Sequence, residues 1–205
     1  MDGCSSPKGG PATAQKRSST LVRQRQIINA ARKLIIRYGS EHVTVRRIAR
    51  EIGTSEGAIY RHFKSKREVL SLLADHIEDS LVGDITKARV GKYTALETLD
   101  RVLRNHLSAV EQRRGISFQV IAEIISLGDK KLNKKISDAI GRYIGLLRGL
   151  LAQGVEAGEV RGDIDLDSAA TLLFGMIQGL VNIWALSNYG FDPQQKYVPL
   201  WNVFC

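Results

Sequence analysis

The run TSEGAIYRHFKSK, residues 54–66, gathers small, hydrogen-bonding and basic side chains that fill a core poorly. Gly57 and Ala58 lack bulk, so backbone placed there can approach base edges and a thymine methyl. Tyr60 and His62 can hydrogen-bond phosphate oxygens, and Arg61 can reach a phosphate or a guanine edge. Thr54, Ser55 and Glu56 open the short helix and lead it into a groove. Lys66 falls in the first turn of the following helix, where its charge and the free amides both favour a phosphate. Thr44, Arg46 and Arg47 repeat that arrangement one helix upstream.

The elements that must hold these residues follow from caps and periodicity. Ile27, Ile28, Ala31, Leu34, Ile35 and Tyr38 form one face of a helix that begins near residue 21 and stops at Gly39. Thr44 caps a second helix with Ile48, Ala49 and Ile52 inward, and Ser55 caps a third. Ala49, Gly53 and Ile59 have helix-turn-helix spacing: a small residue for close crossing, a glycine for the turn, an aliphatic plug between helices. Ser65 to Glu68 reads as a capping box that starts a long helix through Val69, Leu73, Ile77 and Leu81 to about Arg89. The competing reading, a plain basic helical hairpin, leaves the small residues unexplained.

Charge agrees with a polyanion partner for this part of the chain. The sequence has 205 residues and net charge +9. Residues 1–70 carry 15 Lys+Arg against 5 Asp+Glu, and residues 71–205 carry 15 against 16. The basic excess therefore lies in the first third. The first twenty residues, rich in Gly, Ser and Pro, read as a flexible basic tail without the apolar stretch of a secretory signal. Cys4 and Cys205 sit at opposite ends with no metal-ligand spacing, which fits a reducing, cytoplasmic setting and no metal.

Further helices are expected at 94–113, 116–127, 130–156, 166–188 and 194–205, punctuated by glycines, with no strand. The charge-free stretch 168–191 is long enough to span a bilayer. Its polar residues Thr171, Gln178, Asn182, Ser187 and Asn188 favour a core or interface helix instead, and no membrane partner is expected. Gly141, Gly145 and Gly149 lie opposite the apolar face of their helix, either as drift on a solvent face or as a site of close backbone approach. No phosphate-binding loop, nucleophile elbow, zinc-protease motif or dinucleotide fingerprint occurs, so neither an enzyme nor a cofactor is expected.

Residues 21–70, in IINAARKLIIRYG, VTVRRIAREIG and TSEGAIYRHFKSKREVL, resemble the DNA-binding domain of the tetracycline-repressor (TetR) family. The Gly57–Phe63 run carries the family's third-helix signature, and Lys66 matches as well; the C-terminal half resembles the family more loosely. The resemblance implies an all-α fold: a helix-turn-helix domain over 21–66 and a helical effector-binding and dimerisation domain over 67–205. It implies a homodimer on operator DNA, most often a repressor, released by a small effector or, in the alternative, controlled by a protein partner. The family's cavity position points to His106, Phe118, Ile121, Ile125, Tyr143, Leu147, Phe174 and Gln178, with Asn182 as a further polar group. With no inward Arg or Lys evident, an apolar or aromatic effector with one or two hydrogen-bonding groups is expected and a strongly anionic one such as a nucleotide is not. The expected dimer interface uses 166–188 and the last helix, through Gly175, Gly179, Leu180, Trp184 and Trp201.

Overall fold

A computed structural model describes residues 12–38, 43–88 and 92–205; of residues 12–21, 36, 84 and 87 only the backbone is described. The described chain is helical: α1 (Ala12–Tyr38), α2 (Val45–Glu51), α3 (Glu56–Tyr60), α4 (Lys66–Ala88), α5 (Ala95–Gln112), α6 (Ile116–Leu127), α7 (Lys130–Glu156), α8 (Leu166–Leu186) and α9 (Pro193–Phe204). It divides into two compact units, residues 1–69 and 70–205.

In the first unit α1 buries Ile27, Ala30, Ala31, Leu34 and Ile35. α2 buries Val45, Ile48 and Ala49, and Ile59 and Phe63 complete this small core. Both short helices start on side-chain caps: Thr44 Oγ1 accepts from the Arg47 amide and Ser55 Oγ from the Ala58 amide, each at 3.2 Å. Gly53 at φ +66° makes the turn between them, where a Cβ would be strained. Two expectations change here. Helix α1 starts at Ala12, so residues 12–20 are helical backbone; residues 1–11 and Gly39 lie outside the described residues. Glu68 accepts from the amide of Lys64 at 2.7 Å, one residue upstream of the Ser65 amide that a capping box would use.

The second unit packs α5 against α7, α8 and α9, with α6 against α7 and α8. Its helix starts are strongly specified. Thr94 and Glu97 form a complete capping box, and Asp129, Asp165 and Asp192 cap α7, α8 and α9. Arg114, Gly115 and Gly128 adopt left-handed φ and end α5 and α6 sharply. Leu99, Leu103, Leu107, Ile124, Tyr143, Leu147, Leu173 and Ile177 are fully buried at the centre. Gly154 faces the turn after α7 so closely that a Cβ would lie 2.8 Å from Val160 Cγ2.

α8 passes the length and hydropathy test for a membrane span, yet it seats a continuous face in the bundle through Ala169, Ala170, Leu173, Ile177, Leu180, Val181 and Trp184. That seating corrects the expected interface. Leu180 and Trp184 are 6% and 5% exposed within a single chain, so they belong to the core. The opposite face of α8 leaves Leu172, Ile183 and Leu186 exposed beside the exposed Gly175 and Gly179. Trp201 is half-buried and stacks between Tyr197 and Phe204.

Candidate nucleic-acid interface and ligand cavity

α3 is barely more than a turn long, and burial of Ile59 fixes which way it faces. Glu56, Gly57, Tyr60 and Arg61 are exposed, while Thr54, Ala58, His62 and Lys66 are half-buried. No atom approaches the position of a Gly57 Cβ more closely than Ser55 Oγ at 4.0 Å. The bareness at Gly57 is therefore not required by packing within the protein. On α2, Arg46 is exposed and lies 3.9 Å from Glu56 Oε1, and Arg47 lies over the Tyr38 ring at 5.4 Å. Exposed pairs of this kind contribute little to stability, so both cations are available to a phosphate. The structure thus presents small, hydrogen-bonding and cationic groups on the outer surface of a helix-turn-helix.

The second unit holds a cleft lined by α4 (Ile77, Ser80, Leu81), α5 (His106, Val110, Arg113), α6 (Ser117, Phe118, Ile121), α7 (Ile140) and α8 (Phe174, Gln178, Val181). It contains about 480 Å³ of space including its mouth, but only about 30 Å³ in which a water-sized sphere can be centred. It is narrow and mostly apolar, and its polar lining residues are Ser80, His106, Arg113, Ser117 and Gln178. Ile77, Leu81, His106, Val110 and Val181 are buried, whereas Ser80, Arg113, Ser117 and Gln178 are half-exposed.

Five of the eight expected effector residues line this cleft: His106, Phe118, Ile121, Phe174 and Gln178. Three do not. Ile125 is 65% exposed, because Ile116, Val120 and Ile124 set the buried face of α6 and the next residue turns away from it. Leu147 is fully buried in the core. Tyr143 is also fully buried and acts from behind the wall: its hydroxyl is 3.0 Å from His106 Nδ1, and its ring meets those of His106 and Phe174 edge-on. Burial, and secondarily the charge of Arg113, push the His106 pKa down to about 4, so the imidazole is neutral at pH 7. Asn182 is half-buried on α8 and does not line the cleft.

Arg113 is the residue that sequence reasoning missed. It lines the cleft and donates to Ser80 Oγ at 2.5 Å, which overturns the expectation that no inward arginine exists. A signal was present: Leu99, Leu103, His106, Val110 and Arg113 follow one another at steps of four and three along α5. The expected glycine stripe, by contrast, meets nothing: Cβ atoms at Gly141, Gly145 and Gly149 would have no neighbour within 4 Å.

A sequence profile described as bacterial regulatory proteins, tetR family, matches residues 27–73, and one described as YsiA-like protein, C-terminal region, matches residues 75–203. The chain belongs to the tetR family. It is a DNA-binding transcriptional regulator, and the tetR-family match covers the helix-turn-helix described above. Its relatives include the fatty acid metabolism regulator protein of Bacillus subtilis, 28% identical over 82% of this chain and 86% of that protein. They also include the nucleoid occlusion factor SlmA of Photobacterium profundum, 27% identical over 88% of this chain and 93% of that protein. Among solved structures, transcriptional regulator FadR from Bacillus subtilis in complex with stearoyl-CoA superposes with TM-score 0.73 at 28% identity, over 88% of this chain and 94% of that one. As a tetR-family chain it joins a reading head to a helical ligand domain, the division seen here near residue 70.

Proposed function

We propose that this regulator binds a near-palindromic operator as a homodimer in the cytoplasm and is released from it by a long-chain acyl thioester. The observation that carries the proposal is the cleft among α4 to α8, whose mostly apolar lining suits an acyl chain and whose wall includes Arg113. The relative solved with stearoyl-CoA supports the same ligand class. Thr44, Arg46, Arg47, Tyr60, Arg61, His62 and Lys66 would hold phosphates or a guanine edge, while Thr54 to Ala58 bring backbone close to the bases. The exposed apolar stripe Leu172, Gly175, Gly179, Ile183 and Leu186 on α8, with Val198 and Val203 on α9, would pair with its two-fold mate. The cleft is too narrow as it stands for a chain to enter, so Phe118 or Phe174 must swing aside when the effector binds. Effector binding would then favour a spacing of the two heads that mismatches the operator. A coupling of about 1–3 kcal/mol is typical and corresponds to roughly 5- to 150-fold weaker DNA binding.

The narrowness of the cleft also supports a second reading, control by a protein partner in place of a small ligand. One experiment separates the two. Duplexes are selected from a random library by the purified chain, and the bound duplex is titrated with stearoyl-CoA. Release of the duplex supports the first reading; binding indifferent to stearoyl-CoA up to its solubility rejects it in favour of the second.

A further inference from the structure

Four of the polar side-chain links of α4 run to α5, to the cap residue that follows it and to α7. Lys135 Nζ lies 2.6 Å from Asp75 Oδ1 and donates to Ser71 Oγ at 2.8 Å. Arg142 meets Glu78 at 2.5 Å, and Arg101 Nε donates to the Ala88 carbonyl at 3.4 Å. The fourth, Arg113 to Ser80, is the one whose two members both stand in the wall of the cleft. It also differs in chemistry. The first two links join a cation to a carboxylate, whereas Arg113 donates to a neutral hydroxyl. The Arg113–Ser80 bond has an ionised donor but a neutral acceptor, whereas a carboxylate or phosphate adds a full opposite charge and can be gripped by the guanidinium with two parallel bonds. An anion arriving at Arg113 would therefore outcompete Ser80.

We propose that Arg113 makes the site selective for acyl compounds with an anionic head, and that the head takes the guanidinium away from Ser80, loosening the one polar link of α4 that faces the ligand. This rests on the reading of the cleft as an acyl-effector site and adds to it a residue, a head-group charge and a competitor. The layout agrees. Arg113, Ser80 and Ser117 are half-exposed, and Ile77, Leu81, Val110 and Val181 are buried in the same cleft, so a chain lying against these four can leave its head beside Arg113. The charge of Arg113, after burial, lowers the pKa of His106, which lines the same cleft. Because α4 begins at Lys66, a change at Ser80 acts on the helix that carries a proposed phosphate contact.

The competition gives the two partners opposite effects, which a merely structural hydrogen bond would not. Affinities for stearoyl-CoA and for stearate are measured by calorimetry on the full chain with Arg113→Gln, Arg113→Lys and Ser80→Ala. Arg113→Gln is expected to weaken at least one of the two probes tenfold or more, and Arg113→Lys to recover part of that loss. Ser80→Ala is expected to tighten the same probe several-fold. The weakened probe identifies the head: stearoyl-CoA alone points to phosphates, stearate to a carboxylate. If Arg113→Gln leaves both affinities unchanged, or if both substitutions shift them in the same direction, the inference is wrong while the effector reading stands. If the wild-type chain binds neither probe, both fall.

Discussion

The Tyr143 hydroxyl stands 3.0 Å from Nδ1 of His106, and both side chains are buried. The pair makes the wall of the cleft polar at one point without placing a charge there. Burial first, then Arg113, hold the His106 pKa at about 4 against an ordinary 6.5. The unfolded chain therefore takes up a proton as pH falls through 6.5, and the folded chain does not until about 4. Stability is complete above the upper value and is lost across this window, by about 3 kcal/mol in total. Urea midpoints at pH 7.5 and 4.5 should fall less in His106→Gln than in wild type. Tyr143→Phe should cost about 1–3 kcal/mol at pH 7 by leaving Nδ1 unpaired. Equal acid losses in wild type and His106→Gln would show that the imidazole is not held neutral.

A side chain at Gly57 has room within the protein, and under the proposed DNA contact it would have none against a base edge. Gly57→Leu should leave thermal stability within about 1 kcal/mol of wild type, as surface changes do, and abolish specific binding. Lys66→Ala should weaken binding to every duplex and lower the slope of log K against log salt by roughly one unit per protomer. An unchanged slope would remove Lys66 from the phosphate contacts.

Much of this was legible in the sequence because it is local. Thr44 and Ser55 announce helix starts by chemistry confined to three or four residues, and Ala49, Gly53 and Ile59 fix a turn within eleven. The facing of α8 was not legible, since that helix is apolar on every side and periodicity cannot say which side the bundle takes. Leu180 and Trp184 went inward because their stripe continues through Ala170, Leu173 and Ile177. Arg113 stayed hidden because it sits just past the last turn of α5, where a charged residue reads as a solvent group.

The α8 stripe predicts a division between assembly and stability. Gly179→Arg and Ile183→Glu place charge on an exposed face where the glycine has no neighbour within 4 Å, so each protomer should fold normally and remain monomeric. Trp184→Ala should instead destabilise the protomer by about 3–5 kcal/mol, as loss of a buried aromatic does. Light scattering paired with thermal melts checks both; dimers persisting in Ile183→Glu at micromolar concentration would place the interface elsewhere.

The glycines of α7 divide the same way. Gly141, Gly145 and Gly149 open onto space, and alanine at all three should stabilise the chain by about 2–3 kcal/mol through helix propensity. Gly154→Ala, 2.8 Å from Val160, should lower stability. Chemical denaturation of the triple variant decides this: a loss of stability would mean that the stripe is a contact surface for a second molecule.

Under the proposed function, an acyl ligand in the second unit controls DNA binding by the first. The most direct measurement of that control is the affinity of the full chain for stearoyl-CoA, with and without saturating selected duplex. Linkage requires that if stearoyl-CoA weakens duplex binding by some factor, the duplex weaken stearoyl-CoA binding by that same factor, expected between roughly 5 and 150. Matching factors in that range are the predicted result. A stearoyl-CoA affinity indifferent to bound duplex would contradict the account.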